Sequence, residues 1–86
     1  MNLDLSNQPS IVYPCEWEYR VIGEDQERLK EIIAEIMPRK YELKSGKSSS
    51  QGRFVSVYVW LIVHNEQERN DIFSQLSHHS EVKMVI

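Results

Sequence analysis

Three groups of residues have types that could do chemistry. Gly46-Lys47-Ser48 has the ending of a phosphate-binding loop, in which a lysine and backbone N–H groups cradle phosphates. Such a loop also needs a glycine where Tyr41 stands, and it must open a helix. This stretch leads instead into a run with strand periodicity, so it reads as a polar hairpin connection. His64, His78 and His79 could ligate a metal, but neighbours on a helix project about 100° apart and do not share one ion. No cysteine pair or acidic cluster stands at ligand spacing beside them. They read as exposed residues, two of them near a helix C-terminus, where positive charge is tolerated. Cys15 has no histidine partner in sequence and reads as an unreactive residue at the start of a strand. No nucleophile, base and orienting group form a set. No enzymatic activity, no metal and no cofactor are therefore expected.

Charge is the second chemical resource. Residues 39–53 carry Arg39, Lys40, Lys44, Lys47 and Arg53 against Glu42 alone, a net of +4, while the rest of the chain carries five basic and twelve acidic residues, a net of −7. A basic end of this kind can steer an acidic partner or an anionic ligand. Its bland counterpart is a solvated loop and an edge strand protected by charge. Glu27, Glu31 and Glu35 recur every fourth residue and read as a solvated helix face, with Arg28 and Lys30 softening the repulsion.

These groups must be positioned by a small set of elements. Cys15–Ile22 alternates, with Trp17, Tyr19 and Val21 on one side and Glu16, Glu18 and Arg20 on the other, which is the period of a half-buried strand. Gly23 ends it. Asp25 can cap a helix running to about Met37, with Leu29, Ile32, Ile33 and Ile36 as one apolar stripe and Pro38 as its stop. Lys40–Ser45 alternates weakly and reads as an edge strand. Phe54–Val63 alternates strictly. Val55, Val57, Val59, Leu61 and Val63 form its core face, and Phe54, Ser56, Tyr58, Trp60 and Ile62 form the other. Asn65 and Glu68 have the spacing of a capping box for a second helix, whose stripe is Ile72, Phe73 and Leu76. Glu81–Ile86 closes the chain as a strand with Val82, Met84 and Ile86 on one face.

The order is βαββαβ. Two helices with apolar stripes must cover one sheet face. The split βαβ arrangement does this as an α+β two-layer sandwich of ferredoxin-like topology, with an antiparallel sheet in strand order 4-1-3-2 and both helices on one face. Residues 1–12 read as a flexible N-terminal tail and 13–86 as one domain. At 86 residues and a net charge of −3, the chain has little room for a deep pocket and little general attraction for nucleic acid. One cysteine, no basic and apolar leader and no long apolar run point to a cytoplasmic protein without a membrane span.

The chain resembles the DUF493 family of small bacterial proteins, also called YbeD-like or UPF0250. The resemblance rests on Tyr13-Pro14, on Trp17-Glu18-Tyr19-Arg20-Val21-Ile22-Gly23, on Ser49-Ser50-Gln51-Gly52-Arg53-Phe54-Val55-Ser56-Val57, and on Val82-Lys83-Met84-Val85-Ile86. It implies a ferredoxin-like fold similar to ACT-type regulatory domains. It also places Ser49, Ser50, Gly52 and Ser56 in the family's most specific motif, beside the basic stretch. ACT-type domains bind small effectors, often between subunits.

The expected function is that of a regulatory or adaptor domain acting through contacts with another protein, with a homodimer as one form of it. The expected interaction residues are Arg39, Lys40, Lys44, Lys47, Ser49, Ser50, Gly52, Arg53, Ser56, Tyr58 and Trp60. A sensor of a small anionic metabolite is the alternative. A nucleic-acid binder ranks below both, because Gly52 is followed by Arg53 and Phe54 rather than by the aromatic run of an RNA-binding strand, and because Glu16 and Glu18 would repel phosphates.

Overall fold

A computed structural model describes residues 11–46 and 53–86. β1 spans Cys15–Gly23 and keeps the alternation read from its sequence: Tyr19 and Val21 are buried, Glu16, Glu18 and Arg20 exposed. α1 spans Gln26–Ile36. The Asp25 side chain accepts the Arg28 N–H at 3.2 Å, supplying one of the four donors a helix start leaves unpaired. Pro38 forces Met37 out of helical geometry, and the Met37 N–H closes the last turn on the Ile33 carbonyl. Leu29, Ile32 and Ile33 are fully buried and Ile36 packs at the margin. On the outer face of α1, Arg28 pairs with Glu31 and reaches Glu81, while Lys30 lies 3.8 Å from Glu27.

β2 is shorter than its sequence suggests, running over Glu42–Ser45 rather than from Lys40. β3 spans Val55–Val63 and α2 spans Glu66–Ser77. β4 is Val82–Val85. All pairings are antiparallel and the sheet order is β2-β3-β1-β4, so the two best-patterned strands lie in the centre. The helices pack on the face that carries Tyr19, Val21, Val57, Val59, Leu61 and Val63. Each such side chain contributes about 1.5–3 kcal/mol by leaving water. This is the ferredoxin-like α+β sandwich. Tyr19 also spans the two layers, its hydroxyl donating to the Arg69 carbonyl on α2 at 2.7 Å. Tyr13 packs against the same core, and its hydroxyl is buried without a hydrogen-bond partner among the described residues.

Two faces differ from the sequence reading. The last strand does not keep Val82, Met84 and Ile86 together. Its register against β1 shifts between Ile22 and Gly23, and the irregularity puts an extra residue into β4. Val82 and Val85 are therefore buried, while Met84 and Ile86 are exposed. The α2 stripe is also narrower. Ile72 and Leu76 are buried, but Phe73 is 44% exposed, one helical step off the line that meets the sheet.

Candidate functional site

The helix-free face of the sheet is built by the even-numbered residues of β1, β2 and β3. Register sets them in rows. Lys44, Tyr58 and Arg20 lie side by side across three strands, and Glu42, Trp60 and Glu18 form the next row. Gly23-side neighbours Ser56, Ile22 and Met84 follow on one flank, and Ile62 with Glu16 on the other. Cationic and anionic rows thus alternate around a ridge of two aromatic rings. The Arg20 guanidinium sits 5.0 Å from the centre of the Tyr58 ring, a cation–π stack.

Gly46 positions that ring from the other side. Its N–H donates to the Ser56 carbonyl at 2.8 Å, which continues the β2–β3 ladder. A Cβ built at Gly46 would lie 2.8 Å from Cε2 of Tyr58, so only glycine leaves room for the ring where it rests. The same hydrogen bond uses the N–H that a phosphate-binding loop would have offered at this glycine. Lys44, Ser45, Gly46, Ser56 and Tyr58 line a shallow depression there. A second depression, of about 330 Å³, lies at the other end of the face between Lys40, Tyr41, Trp60 and Ile62, with Glu16 and Glu42 on its rim.

Arg39 has a different setting from its sequence neighbours. Its two terminal nitrogens donate to the two carboxylate oxygens of Glu68 at 2.8 and 2.6 Å, a bidentate pair. Nη1 also donates to the Ile62 carbonyl at 2.8 Å. In the antiparallel alternation, that carbonyl points toward the line of β2, which has already ended. The guanidinium therefore replaces a strand residue and explains why β2 begins only at Glu42. Glu68 additionally accepts the His64 N–H at 2.8 Å, one residue before the position a capping box would use. The hydrogen bonds from Arg39 lead in holding the Glu68 carboxyl down to about pKa 2; burial opposes them and the His64 N–H adds to them.

Of the residues expected to act in binding, Lys40 and Lys44 are exposed and reach the helix-free face or its margin. Ser56, Tyr58 and Trp60 are half-buried on that face. Arg53 is exposed, with its guanidinium 5.9 Å from the Phe54 ring centre. Lys47, Ser49, Ser50 and Gly52 lie outside the described residues. In the sequence Arg20, Gly46 and Glu68 read as a strand-face residue, a loop glycine and a capping-box member, and not as parts of the site. Only the register across β1, β2 and β3 puts Arg20 on Tyr58, and no spacing rule connects Arg39 with Glu68.

Cys15 is half-buried at the start of β1 and is not disulfide-bonded. His78 Nδ1 lies 2.8 Å from the Ser74 carbonyl at the end of α2, and the Glu81 N–H donates to His79 Nδ1 at 3.2 Å. Among the described residues, no three potential metal ligands come together. Among them too, no helix is long and apolar enough to cross a membrane.

The model of the family described as protein of unknown function, DUF493, matches residues 8–86. The chain belongs to the DUF493 family. An uncharacterised Helicobacter pylori protein is 42% identical over 84% of this chain and 85% of its own length. A Campylobacter jejuni relative is 38% identical over 85% of each. A UPF0250 protein of Pseudomonas aeruginosa is 31% identical over 91% of this chain and 90% of its own. A similar fold has been seen in solution. An H. pylori protein, 36% identical, superposes with a TM-score of 0.79 over 94% of this chain and 90% of that one. The relatives are small bacterial proteins whose molecular function is not established, so membership in DUF493 carries the fold and no residue role.

Proposed function

We propose that this chain is a non-catalytic regulatory or adaptor domain of the bacterial cytoplasm, working by protein contacts through the helix-free face of its sheet. The observation that carries the reading is the Tyr58–Trp60 ridge, held in place by Gly46 and Arg20 and framed by rows of opposite charge. Rigid aromatic rings beside arginine are the side chains on which protein interfaces concentrate their binding energy. Half-buried aromatics on a sheet face that the helices leave uncovered, beside the exposed Ile62 and Met84, form the kind of apolar patch that marks a contact surface. The two charge rows give the contact a polarity. A partner would lay apolar residues along the ridge, with acidic groups toward Lys44 and Arg20 and basic groups toward Glu42 and Glu18. Arg53 lies toward the positive end, whereas Lys40 stands at the opposite end beside Glu42 and Glu16, and Arg39 adds no free charge because Glu68 neutralises it.

Affinity capture from a bacterial lysate tests this with three baits: the wild type, a variant combining Lys44→Glu, Lys47→Glu and Arg53→Glu, and a variant combining Tyr58→Ala and Trp60→Ala. Proteins, nucleic acid and small molecules are read together. A protein held by the wild type and lost by both variants, with melting temperatures little changed, supports docking through this face. Identical capture by all three baits removes it. Recovery of a nucleic acid whose binding collapses with salt would assign the face to phosphates instead. A metabolite that raises the melting temperature of the wild type alone would assign it to an effector. Sedimentation of the free chain decides whether a second copy is the occupant.

A further inference from the structure

The β1–β4 ladder stops half-way along β1. Arg20 and Ile86 exchange backbone hydrogen bonds of 3.0 and 2.9 Å, and β4 pairs with β1 only from there to Gly23, although β1 runs back to Cys15. In an antiparallel strand alternate residues turn their N–H and C=O to opposite sides. Arg20 faces β4, so Glu18 and Glu16 turn their backbone groups to that side too. Trp17 and Tyr19 face β3. No strand among the described residues continues the ladder opposite Glu16 and Glu18. A groove of about 350 Å³ runs beside this open edge, floored by Trp17 and Tyr19 and walled by Arg69 and Phe73 of α2, with Ile86 at its end. Phe73 is 44% and Ile86 62% exposed, and the Arg69 guanidinium stacks 4.6 Å from a Trp17 ring centre.

We infer that this edge accepts an extended segment of a partner protein as an added strand antiparallel to β1, and that the segment alternates basic with apolar residues. Among the described residues the edge offers a row of unpaired backbone groups, which is the template for strand addition. Register then dictates the side chains. Residues opposite Glu16 and Glu18 fall on the helix-free face beside two exposed carboxylates, where lysine or arginine is favoured. The residue between them, opposite Trp17, falls on the helix side, into the groove against Phe73. Charge also argues against a second copy. Pairing two such edges about a two-fold axis would bring Glu16 and Glu18 against the same pair, four carboxylates on one face. The other edge of the sheet offers less, since the Arg39 side chain already occupies the Ile62 carbonyl beyond the end of β2. This edge shares Glu18 with the helix-free face but not Lys44 or Tyr58, and the added strand stands without the reading given above.

Amide hydrogen exchange on the isotope-labelled full chain tests it, with a short synthetic peptide alternating lysine and valine as the probe and its glutamate–valine counterpart as control. In the free chain the Glu16 and Glu18 amides exchange fast while the Arg20 amide is protected. The lysine–valine peptide slows Glu16 and Glu18. Combining Glu16→Lys with Glu18→Lys weakens that peptide by roughly tenfold, and Lys44→Glu with Tyr58→Ala leaves it unchanged. The inference is overturned if Glu16 and Glu18 are already protected in the free chain. It is equally overturned if the lysine peptide leaves them fast, if the glutamate peptide protects them as well, or if protection follows protein concentration alone.

Discussion

At the residue scale, two tyrosines and one ion pair carry opposite lessons about buried polar groups. The Tyr19 hydroxyl is paired with the Arg69 carbonyl, whereas the Tyr13 hydroxyl is buried and finds no partner among the described residues. Tyr19→Phe removes a made hydrogen bond and should lower stability by about 1 kcal/mol in urea unfolding; Tyr13→Phe removes an unmet one and should leave stability equal or raise it by about 1 kcal/mol. Burial pushes the Tyr19 hydroxyl up to about 12, with Arg69 partly offsetting it. Glu68 moves the other way, from 4.5 down to about 2, chiefly through Arg39. A carboxyl depressed in the folded state stabilises that state above its unfolded pKa and loses this contribution as pH falls toward its folded pKa. The wild type should therefore lose stability relative to Glu68→Gln as pH drops from about 4.5 to about 2, and the gap between their urea midpoints should close over that window. A constant gap would mean that Glu68 is not held by Arg39 in solution.

At the element scale, helix starts and tight junctions decide whether the pattern becomes a structure. Asp25 and Asn65 each accept a backbone N–H three residues on, at 3.2 and 2.8 Å. Asp25→Ala and Asn65→Ala should each cost about 1 kcal/mol by thermal or urea unfolding. Gly23 closes β1, where α1 and the turn into β4 converge. A Cβ there would stand 2.8 Å from the Glu81 carbonyl oxygen and 2.8 Å from Cδ2 of Leu29. Leu29 is fully buried and the Glu81 oxygen is backbone, so neither yields easily. Gly23→Ala should cost about 1–3 kcal/mol and shift the amide resonances of both α1 and β4. Gly46→Ala meets the outer edge of the Tyr58 ring, which can swing, and also the Ser56 Cβ and backbone carbonyl oxygen at 3.1 and 3.2 Å, which must give by a little. It should cost less stability than Gly23→Ala while displacing the Tyr58 and Arg20 resonances.

At the scale of the whole molecule, the two layers divide labour. The helices consume one sheet face, and the core they form has no surplus: Leu76→Ala, at a fully buried position, should cost about 2–5 kcal/mol in urea unfolding. Among the described residues no element covers the other sheet face or the outer half of β1, and substitutions at either leave that core in place. Variants at Tyr58, Trp60, Glu16 and Glu18 should therefore separate binding from folding. If they instead unfold the chain, those side chains serve the fold, and neither surface is a docking site.

The sequence by itself determined the order of elements, the strand arrangement and the core, because each rests on local periodicity. Val55 to Val63 alternates whatever surrounds it, Leu29, Ile32 and Ile33 share a helical stripe, and Asp25 and Asn65 stand at the spacing caps require. Two apolar stripes and four strands then leave few ways to bury them. The helix-free face was legible in the same way, as the even residues of the first and third strands. What tertiary structure decided was which of these residues meet. The pairing of Arg39 with Glu68 joins positions 29 apart and removes one cation from a stretch whose net charge in one dimension is strongly positive. The bulge at Gly23 turns Met84 outward, although alternation alone put it with Val82. Register sets Arg20 on Tyr58 and, among the described residues, leaves Glu16 and Glu18 without a strand on the β4 side. Period and propensity act within one segment, while ion pairing, register and strand length are settled between segments, where a single chain position carries no signal of its partner.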